Sequence, residues 1–242
     1  MFLARDVFKA YGGKRRWNRL TTFSAHVSIG GSLLGMDWAG APGGRPMSRE
    51  FALEGDTRSP RLKLFSSTDT DRYVLYRPDR IEIRTRRDAL IMGVDHPAAA
   101  LAANGLGRPL GRPLGRPLDE AQGLFLTGNV LWSAIAGPFA GLVPGAKAVT
   151  VGAGQLDIHL PPHADPLCPR RRLLARGDGV AHRCDYQMPH VHPGVLADML
   201  SAYVSFNGIL VATLRRALAI EPDGRPGTNS LLDVEIFDVR FQ

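Results

Sequence analysis

The sequence predicts a mainly β protein of the α+β class, built on one large, curved antiparallel sheet with helices packed in its concave face. Three observations support this prediction. Short segments in which polar and apolar residues alternate recur at hairpin spacing in two sets, about ten or eleven strands in all. A long apolar segment, residues 119–143, lies between the two sets. No linker longer than about fifteen residues divides the chain, so we expect residues 1–242 to form one half-barrel domain.

The first set of strands follows a short amphipathic helix. Residues 3–11 predict that helix, and Gly12 with Gly13 should end it. From Trp17 to Ile29 polar and apolar residues alternate, which is typical of a strand with one buried face. Further strands of this set are predicted at residues 51–55, 61–66, 72–76 and 80–84, and residues 32–38 are a candidate for one more. A Gly- and Pro-rich turn is predicted at residues 39–46.

The composition changes between the two sets. Residues 96–104 are rich in alanine and predict a helix. The tetrapeptide GRPL then occurs three times in tandem over residues 107–118, and a proline in each copy is incompatible with a helix or a central strand. We predict a flexible surface loop at residues 105–118. A proline-motif docking site is the alternative interpretation.

The apolar segment 119–143 predicts the central helix of the protein. Phe125, Trp132 and Phe139 recur every seven residues and therefore share one helical face. Pro138 should end or kink the helix. An apolar length of about 18 residues is marginal for spanning a bilayer of ~30 Å. We therefore expect a buried core helix, and a helix that plugs or covers a cavity is the alternative.

Strands resume after this helix. They are predicted at residues 148–151, 155–160, 171–175, 180–187, 209–220 and 230–241. Asp178 and Gly179 are typical of a hairpin turn. Residues 195–203 predict a short helix. In the last strand the apolar phase slips between Ile236 and Phe237, which predicts a β-bulge.

The charge and the termini exclude several classes of protein. The net charge is +7, but only four of the 30 basic residues are lysines, and such arginine use with abundant Ala, Gly and Pro is typical of a GC-rich genome. The arginines are scattered and do not interleave with aromatic residues, so we do not expect nucleic-acid binding. The first residues lack a signal peptide pattern, and the two cysteines make no disulfide framework. We expect a soluble, cytoplasmic protein without stable membrane insertion, and the oligomeric state stays open.

Six segments, found in the same order along most of the chain, match a bacterial family that is common in actinobacteria. They are WNRLTTFSAHVSIGG (17–31), YRPDRIEI (76–83), LFLTGNVLWSAIAGPF (124–139), GDGVAHRCDY (177–186), YVSFNGILVATLRRAL (203–218) and LLDVEIFDVRF (231–241). Members of this family resemble the lipoprotein carriers LolA and LppX in fold. The resemblance implies an eleven-stranded half-barrel, closed by helices, with a hydrophobic cavity for a lipid-like guest. It implies no reaction.

This chain departs from the family pattern in its middle segment. Where the family carries tyrosines, the chain has Leu124-Phe125, Gly128-Asn129-Val130 and Trp132-Ser133-Ala134. The resemblance therefore implies a cavity of different shape and polarity. The predicted ligand-binding residues are Trp38, Tyr76, Phe125, Asn129, Trp132, Ser133 and Phe139, with the aromatic rings of the helix as the inner wall of the cavity and Asn129 with Ser133 as its few polar contacts. Because the carriers are exported and this chain shows no export signal, lipoprotein trafficking is not favoured.

Candidates for acid–base chemistry are the polar groups expected to face the concave side: His26, Asp37, Asp185 and Tyr186. A carboxyl or imidazole group in an apolar cavity has a shifted pKa and is able to exchange a proton with a bound guest. The structural alternative for each is a turn, an ion pair or a bonded core hydroxyl. In particular, Asp185 would then pair with Arg183 or with Arg215 or Arg216.

No cofactor or metal is expected. Five histidines and both cysteines lie between residues 159 and 192, but their spacings H-x3-H, H-x-C and H-x-H match no established zinc motif. Gly152-Ala153-Gly154 has no phosphate-loop or dinucleotide-binding context, and no G-x-S-x-G elbow occurs.

Two functions remain open from the sequence. The first is a cofactor-free cyclase or isomerase that folds a large hydrophobic metabolite, of the polyketide type, in secondary metabolism, because positioning alone lowers the barrier of such reactions. The second is a non-catalytic carrier or sensor of a lipid or another hydrophobic small molecule. The sequence leans towards the first and does not identify the guest.

Overall fold

The structure, a computed structural model, describes residues 4–35, 49–104 and 118–242. Five helices occur in these ranges: α1 Ala4–Ala10, α2 Lys14–Trp17, α3 Ser32–Gly35, α4 Pro97–Asn104 and α5 Glu120–Ala136, the last continued by a 3-10 turn at Gly137–Leu142. The predicted loop at 105–118 lies, apart from Leu118, outside the described residues.

Thirteen strands are described. They are β1 Thr22–Gly30, β2 Arg49–Asp56, β3 Leu62–Ser66, β4 Arg72–Arg77, β5 Arg80–Thr85, β6 Leu90–Asp95, β7 Lys147–Gly152, β8 Gln155–His159, β9 Arg170–Ala175, β10 Ala181–Gln187, β11 Val195–Phe206, β12 Ile209–Ile220 and β13 Pro226–Phe241.

All thirteen strands form one antiparallel sheet. Its order is β6-β5-β4-β3-β2-β1-β13-β12-β11-β10-β9-β8-β7. The first and last strands of the chain therefore pair with each other at the centre, and the two predicted sets form the two halves of the sheet. Strands β6 and β7 are its edges, so the sheet is open. This confirms the predicted fold class, a large curved antiparallel sheet with helices on one side.

The predicted number of strands is too low, for two reasons. Strand β6 was missed because it is an edge strand whose residues are mostly exposed, so it has no buried phase to recognise. Residues 195–203 were predicted to be helical, but they belong to β11, which pairs with β10 over residues 195–199 and with β12 over residues 196–206. Residues 32–38 were a candidate for a further strand, whereas the structure has the single turn α3 there, and residues 36–38 lie outside the described residues.

The bulge predicted in the last strand is confirmed. His26 of β1 pairs with Asp238, and the next residue, Val27, pairs with Ile236. Phe237 is therefore left without a partner on β1, and its side chain is exposed. The extra residue restores the inward phase of the apolar side chains on both sides of it.

Helix α5 forms the centre of the core. It packs against β3, β4 and β5, and the 3-10 turn after it packs against β7 and β8. Helix α1 contacts β7 and the 3-10 turn. The segment Glu120–Leu142 is long and apolar enough to cross a membrane, but 83% of its most apolar 18-residue stretch is buried inside this fold. Its apolar residues are therefore used in the core, as expected for a central helix.

Candidate functional site

The sequence fixes both ends of helix α5. Asp119 accepts a hydrogen bond from the Gln122 backbone amide at 2.8 Å, and the Gln122 side chain accepts one from the Asp119 amide at 3.2 Å, which is a capping box. At the other end Gly137 has φ 51°, and Pro138 begins the 3-10 turn. Helix α5 therefore begins and ends at residues that the local sequence specifies.

One side of α5 is locked onto the first half of the sheet. A Cβ atom at Gly128 would lie 2.4 Å from Cγ of Tyr76, so only glycine allows this approach of the helix to β4. The Phe125 and Tyr76 rings are 5.5 Å apart. The indole nitrogen of Trp132 donates to the Asp56 carbonyl at 2.9 Å. Close apolar packing therefore holds this side of α5 on the sheet, and the Trp132 hydrogen bond fixes the orientation of the indole ring.

The opposite side of α5 faces a small cavity. After the first residue of the helix, Val130 and Ser133 are its only residues that are not fully buried, and both line the cavity. The cavity volume is about 30 Å³, room for about two water molecules. The other lining residues come from the adjoining loops and strands: Asn129, Cys168, Arg171, Cys184, Tyr186, Met188, Asp198, Arg215, Leu232 and Val234.

The first polar group at this cavity is a buried ion pair, Asp165–Arg171. Asp165 is fully buried and accepts hydrogen bonds from the Leu167 amide at 3.1 Å, the Cys168 amide at 2.7 Å and the Arg171 guanidinium. Burial raises the pKa of the Asp165 carboxyl, and Arg171 acts in the opposite direction. Arg171 also donates to the Ser133 hydroxyl on α5.

Asn129 connects this ion pair to the first half of the sheet. Its amide nitrogen donates to Oδ1 of Asp165 at 3.0 Å and to the Tyr76 hydroxyl at 3.1 Å. Burial raises the pKa of the Tyr76 hydroxyl, and the Asp165 carboxylate adds to the shift. The Tyr76 hydroxyl therefore stays protonated.

A second buried ion pair, Asp198–Arg215, lies on β11 and β12. Nε of Arg215 donates to Oδ2 of Asp198 at 2.9 Å, and Nη2 donates to the same oxygen. Burial disfavours the charged guanidinium, but the Asp198 carboxylate outweighs this and raises the pKa of Arg215. Asp198 is paired directly with Cys184 of β10 in the sheet register, which brings this ion pair to the cavity.

The remaining polar lining groups are protonated. Burial raises the pKa of the Tyr186 hydroxyl well above its ordinary value, and Asp198 adds to the shift. Burial raises the pKa of Cys184 to about 12 and that of Cys168 further. Both thiols are therefore weak nucleophiles at neutral pH. Because Tyr186, Cys168 and Cys184 all keep their protons, none of these three groups acts as a general base at neutral pH.

The structure separates the predicted catalytic residues. Tyr186 lines the cavity. Asp185 is its neighbour on the same strand and therefore points to the outer face. There its carboxylate pairs with Arg183, with Nε and Oδ1 2.5 Å apart. His26 is exposed on the outer face of β1. The expectation that His26 and Asp185 face the concave side is wrong, because the apolar phase of each strand occupies that side. Asp37 lies outside the described residues.

Of the predicted ligand-binding residues, Asn129 and Ser133 line the cavity. The aromatic rings do not. Phe139 stacks on Trp17 with ring centres 4.5 Å apart, and Phe125, Trp132 and Tyr76 pack as described above. These aromatic rings were predicted to form the inner wall of the cavity, but they are part of the hydrophobic core between the helix and the sheet. Trp38 lies outside the described residues, and the binding roles of the others stay predictions.

Sequence reasoning missed the charged members of the cluster. Asp165 lies in a proline-rich loop and Asp198 in a segment predicted to be helical. Arg171 lies in a strand whose other inward residues are apolar, and Arg215 lies in one whose inward residues are apolar except Thr213. A charged residue in the inward phase of a strand is the signal that would have indicated the last two. Among residues 4–35, 49–104 and 118–242, no group of three or more His, Cys, Asp or Glu side chains is placed to hold a metal ion.

Comparisons with known proteins bear on the fold. No family model matches the chain, and no curated protein matches it. A solved structure of a DUF1329 family protein from Desulfovibrio piger has a TM-score of 0.51 at 10% identity, covering 99% of this chain and 92% of that one. A LolA superfamily protein from Nitrosomonas europaea has a TM-score of 0.51 at 7% identity, covering 100% and 94%.

At these identities the likeness concerns the fold alone. The chain has a LolA-like fold over its whole length, as the sequence resemblance implies.

Proposed function

We propose that this protein is a non-catalytic carrier or sensor of a lipid or another hydrophobic small molecule. The observation that carries the proposal is a partly apolar space between helix α5 and strands β10–β13. Val130 of the helix lines one side of this space, and Met188, Leu232 and Val234 line the other. Val130 and Ser133, the half-buried residues of α5 after Glu120, both face this space.

Binding of a whole lipid requires this space to widen. A site for a small-molecule ligand has a volume of about 300–1,000 Å³, and the cavity has about 30 Å³. The Gly128–Tyr76 contact and the Trp132 hydrogen bond hold α5 on the first half of the sheet. We infer that α5 stays on that half, and that β10–β13 separate from it when the guest enters.

The positions of the predicted catalytic groups favour carriage over cyclisation or isomerisation. His26 and Asp185 are on the outer face, and Tyr186 and the two cavity thiols hold their protons at neutral pH. A cyclase or isomerase that relies on acid–base chemistry would need a group at the guest that gains or loses a proton readily. The polyketide-type reaction therefore has less support than carriage.

Titration with an uncharged apolar fluorophore, N-phenyl-1-naphthylamine, tests the proposal. We expect a saturable rise in fluorescence with one site per chain. Val130→Trp should abolish it, because the indole occupies the space beside α5. The matched control is Val149→Trp on edge strand β7, where the side chain is 49% exposed, and it should bind the probe like the unmodified protein. No saturable binding by the unmodified protein, or equal binding by both variants, would contradict the proposal.

A further inference from the structure

The cavity carries hydrogen-bond donors that the described protein leaves unused. Nε of Arg171 is buried and has no hydrogen-bond partner in the described part of the chain. Arg215 uses Nε and Nη2 on Asp198, and its Nη1 group has no partner among the described residues. The Tyr186 hydroxyl likewise has none within residues 4–35, 49–104 and 118–242. A guanidinium has five N–H donors, so these three side chains retain several free donors at one place.

Acceptors are scarcer at the same place. Asp165 is saturated by Asn129, Arg171 and two backbone amides, and it is not part of the cavity lining. Oδ2 of Asp198 accepts both bonds from Arg215, which leaves Oδ1 as the free carboxylate oxygen of the lining. The lining holds two guanidinium cations and one carboxylate, and Asp165 is paired with Arg171 behind it, so the two ion pairs are neutral in sum. Free donors nevertheless exceed free acceptors. A guest group that only accepts hydrogen bonds complements these donors, and a negative charge on that group strengthens each bond from a guanidinium.

We propose that the cavity binds the head group of a single-chain amphiphile, and that this head group is anionic and acceptor-only, a carboxylate or a phosphate monoester. The proposal rests on the proposed function and specifies its ligand. A cavity with room for about two water molecules accommodates a group of this size without the widening that the tail requires. The tail then lies against Val130, Met188, Leu232 and Val234.

Burial strengthens this recognition. Arg171 is 7% exposed, so a charged hydrogen bond from it is little weakened by water. The ion pair with Asp165 holds the Arg171 guanidinium in place before the guest arrives, and Asp198 does the same for Arg215. Donors fixed in advance lose little conformational entropy on binding.

Displacement of N-phenyl-1-naphthylamine by three guests with the same twelve-carbon chain tests the head group. The guests are dodecanoate and dodecyl phosphate, each below its micellar concentration, and dodecanol below its solubility limit. We expect one or both anions to displace the probe at a concentration about tenfold or more below that of the alcohol, because hydrogen bonds to charged groups are the stronger ones. The two anions distinguish a carboxylate source from a phosphate source.

Variants locate the preference at the cavity. Tyr186→Phe removes a hydroxyl without removing a bond inside the described protein, and it should lower the anion-to-alcohol ratio about fivefold. The pair Asp198→Asn with Arg215→Gln removes both charges together and should lower the ratio about tenfold or more. The control pair is Asp157→Asn with Arg172→Gln, an ion pair on the outer face, which should leave the ratio unchanged.

The outcomes separate this inference from the proposed function. Equal displacement by the alcohol and both anions, or an anion preference that survives in Tyr186→Phe and in the paired cavity variant, would overturn the head-group proposal while the carrier proposal stands. Absence of probe binding by the unmodified protein would overturn both. An anion preference that falls in the cavity variants and persists in the outer-face control supports the proposal.

Discussion

Helix α5 meets the two halves of the sheet in different ways. Towards β3–β5 it makes apolar contact so close that Gly128 has no room for a side chain. Towards β9–β13 its neighbours are two buried ion pairs, two thiols and a tyrosine around a cavity. On the first side the helix and the sheet are in direct contact, whereas a cavity with unused hydrogen-bond donors lies between them on the second side.

The two sides of α5 therefore have different roles: one holds the fold together, and the other is the side proposed to receive a guest. Close apolar packing contributes most of the stability of a core. Buried ion pairs contribute little net stability, because desolvation offsets their attraction, yet breaking one is costly. Stability alone therefore does not account for the two interior ion pairs, Asp165–Arg171 and Asp198–Arg215. A role in orienting the guanidinium groups for binding does. Three pairs of substitutions test this comparison.

The largest effect is expected from Asp165→Ala. The substitution leaves Arg171 buried without its carboxylate, and we expect the free energy of unfolding to fall by about 3–5 kcal/mol. Asp157→Ala is the control, because its partner Arg172 is about half exposed and such pairs contribute about 1 kcal/mol or less. Urea unfolding of both variants measures the difference. Equal losses would mean that the interior ion pair has no special importance for the fold.

Gly128→Ala should have the next largest effect. The new methyl group would meet the Tyr76 ring, and moving α5 or the ring costs about 1–3 kcal/mol. Gly177→Ala is the control, because nothing lies within 4 Å of a Cβ atom there. Thermal unfolding of the two variants should differ clearly. An unchanged midpoint for Gly128→Ala would show that α5 is not locked to β4.

The smallest changes in stability are expected from removing the hydroxyl groups of Tyr76 and Tyr186. Tyr76→Phe removes the acceptor of a buried Asn129 hydrogen bond and should cost about 1–2 kcal/mol. Tyr186→Phe removes a hydroxyl that has no partner among the described residues, so stability should change by less than about 0.5 kcal/mol. Chemical denaturation checks both. A large loss for Tyr186→Phe would indicate that its hydroxyl supports the fold and is not available for a guest.

Much of the fold follows from local pattern. The alternation in β1, the hairpin turns and the phase slip at Phe237 gave most strands and the bulge, because burying one face of a strand leaves a period of two in the sequence. Helix α5 was predicted with its end at Pro138, because capping and proline act within a few residues. The family resemblance supplied the LolA-like architecture.

The site depended on the tertiary structure. Whether residues 195–203 form helix or strand was decided by pairing with β10 and β12, and that pairing placed Asp198 inside. Asp165 and Arg171 meet through a loop whose path no local pattern specifies. Local sequence pattern was enough to show which residues alternate and where the chain turns. Only the fold decided which phase faces inward and which distant charges meet there, because those choices depend on contacts between segments far apart in the chain.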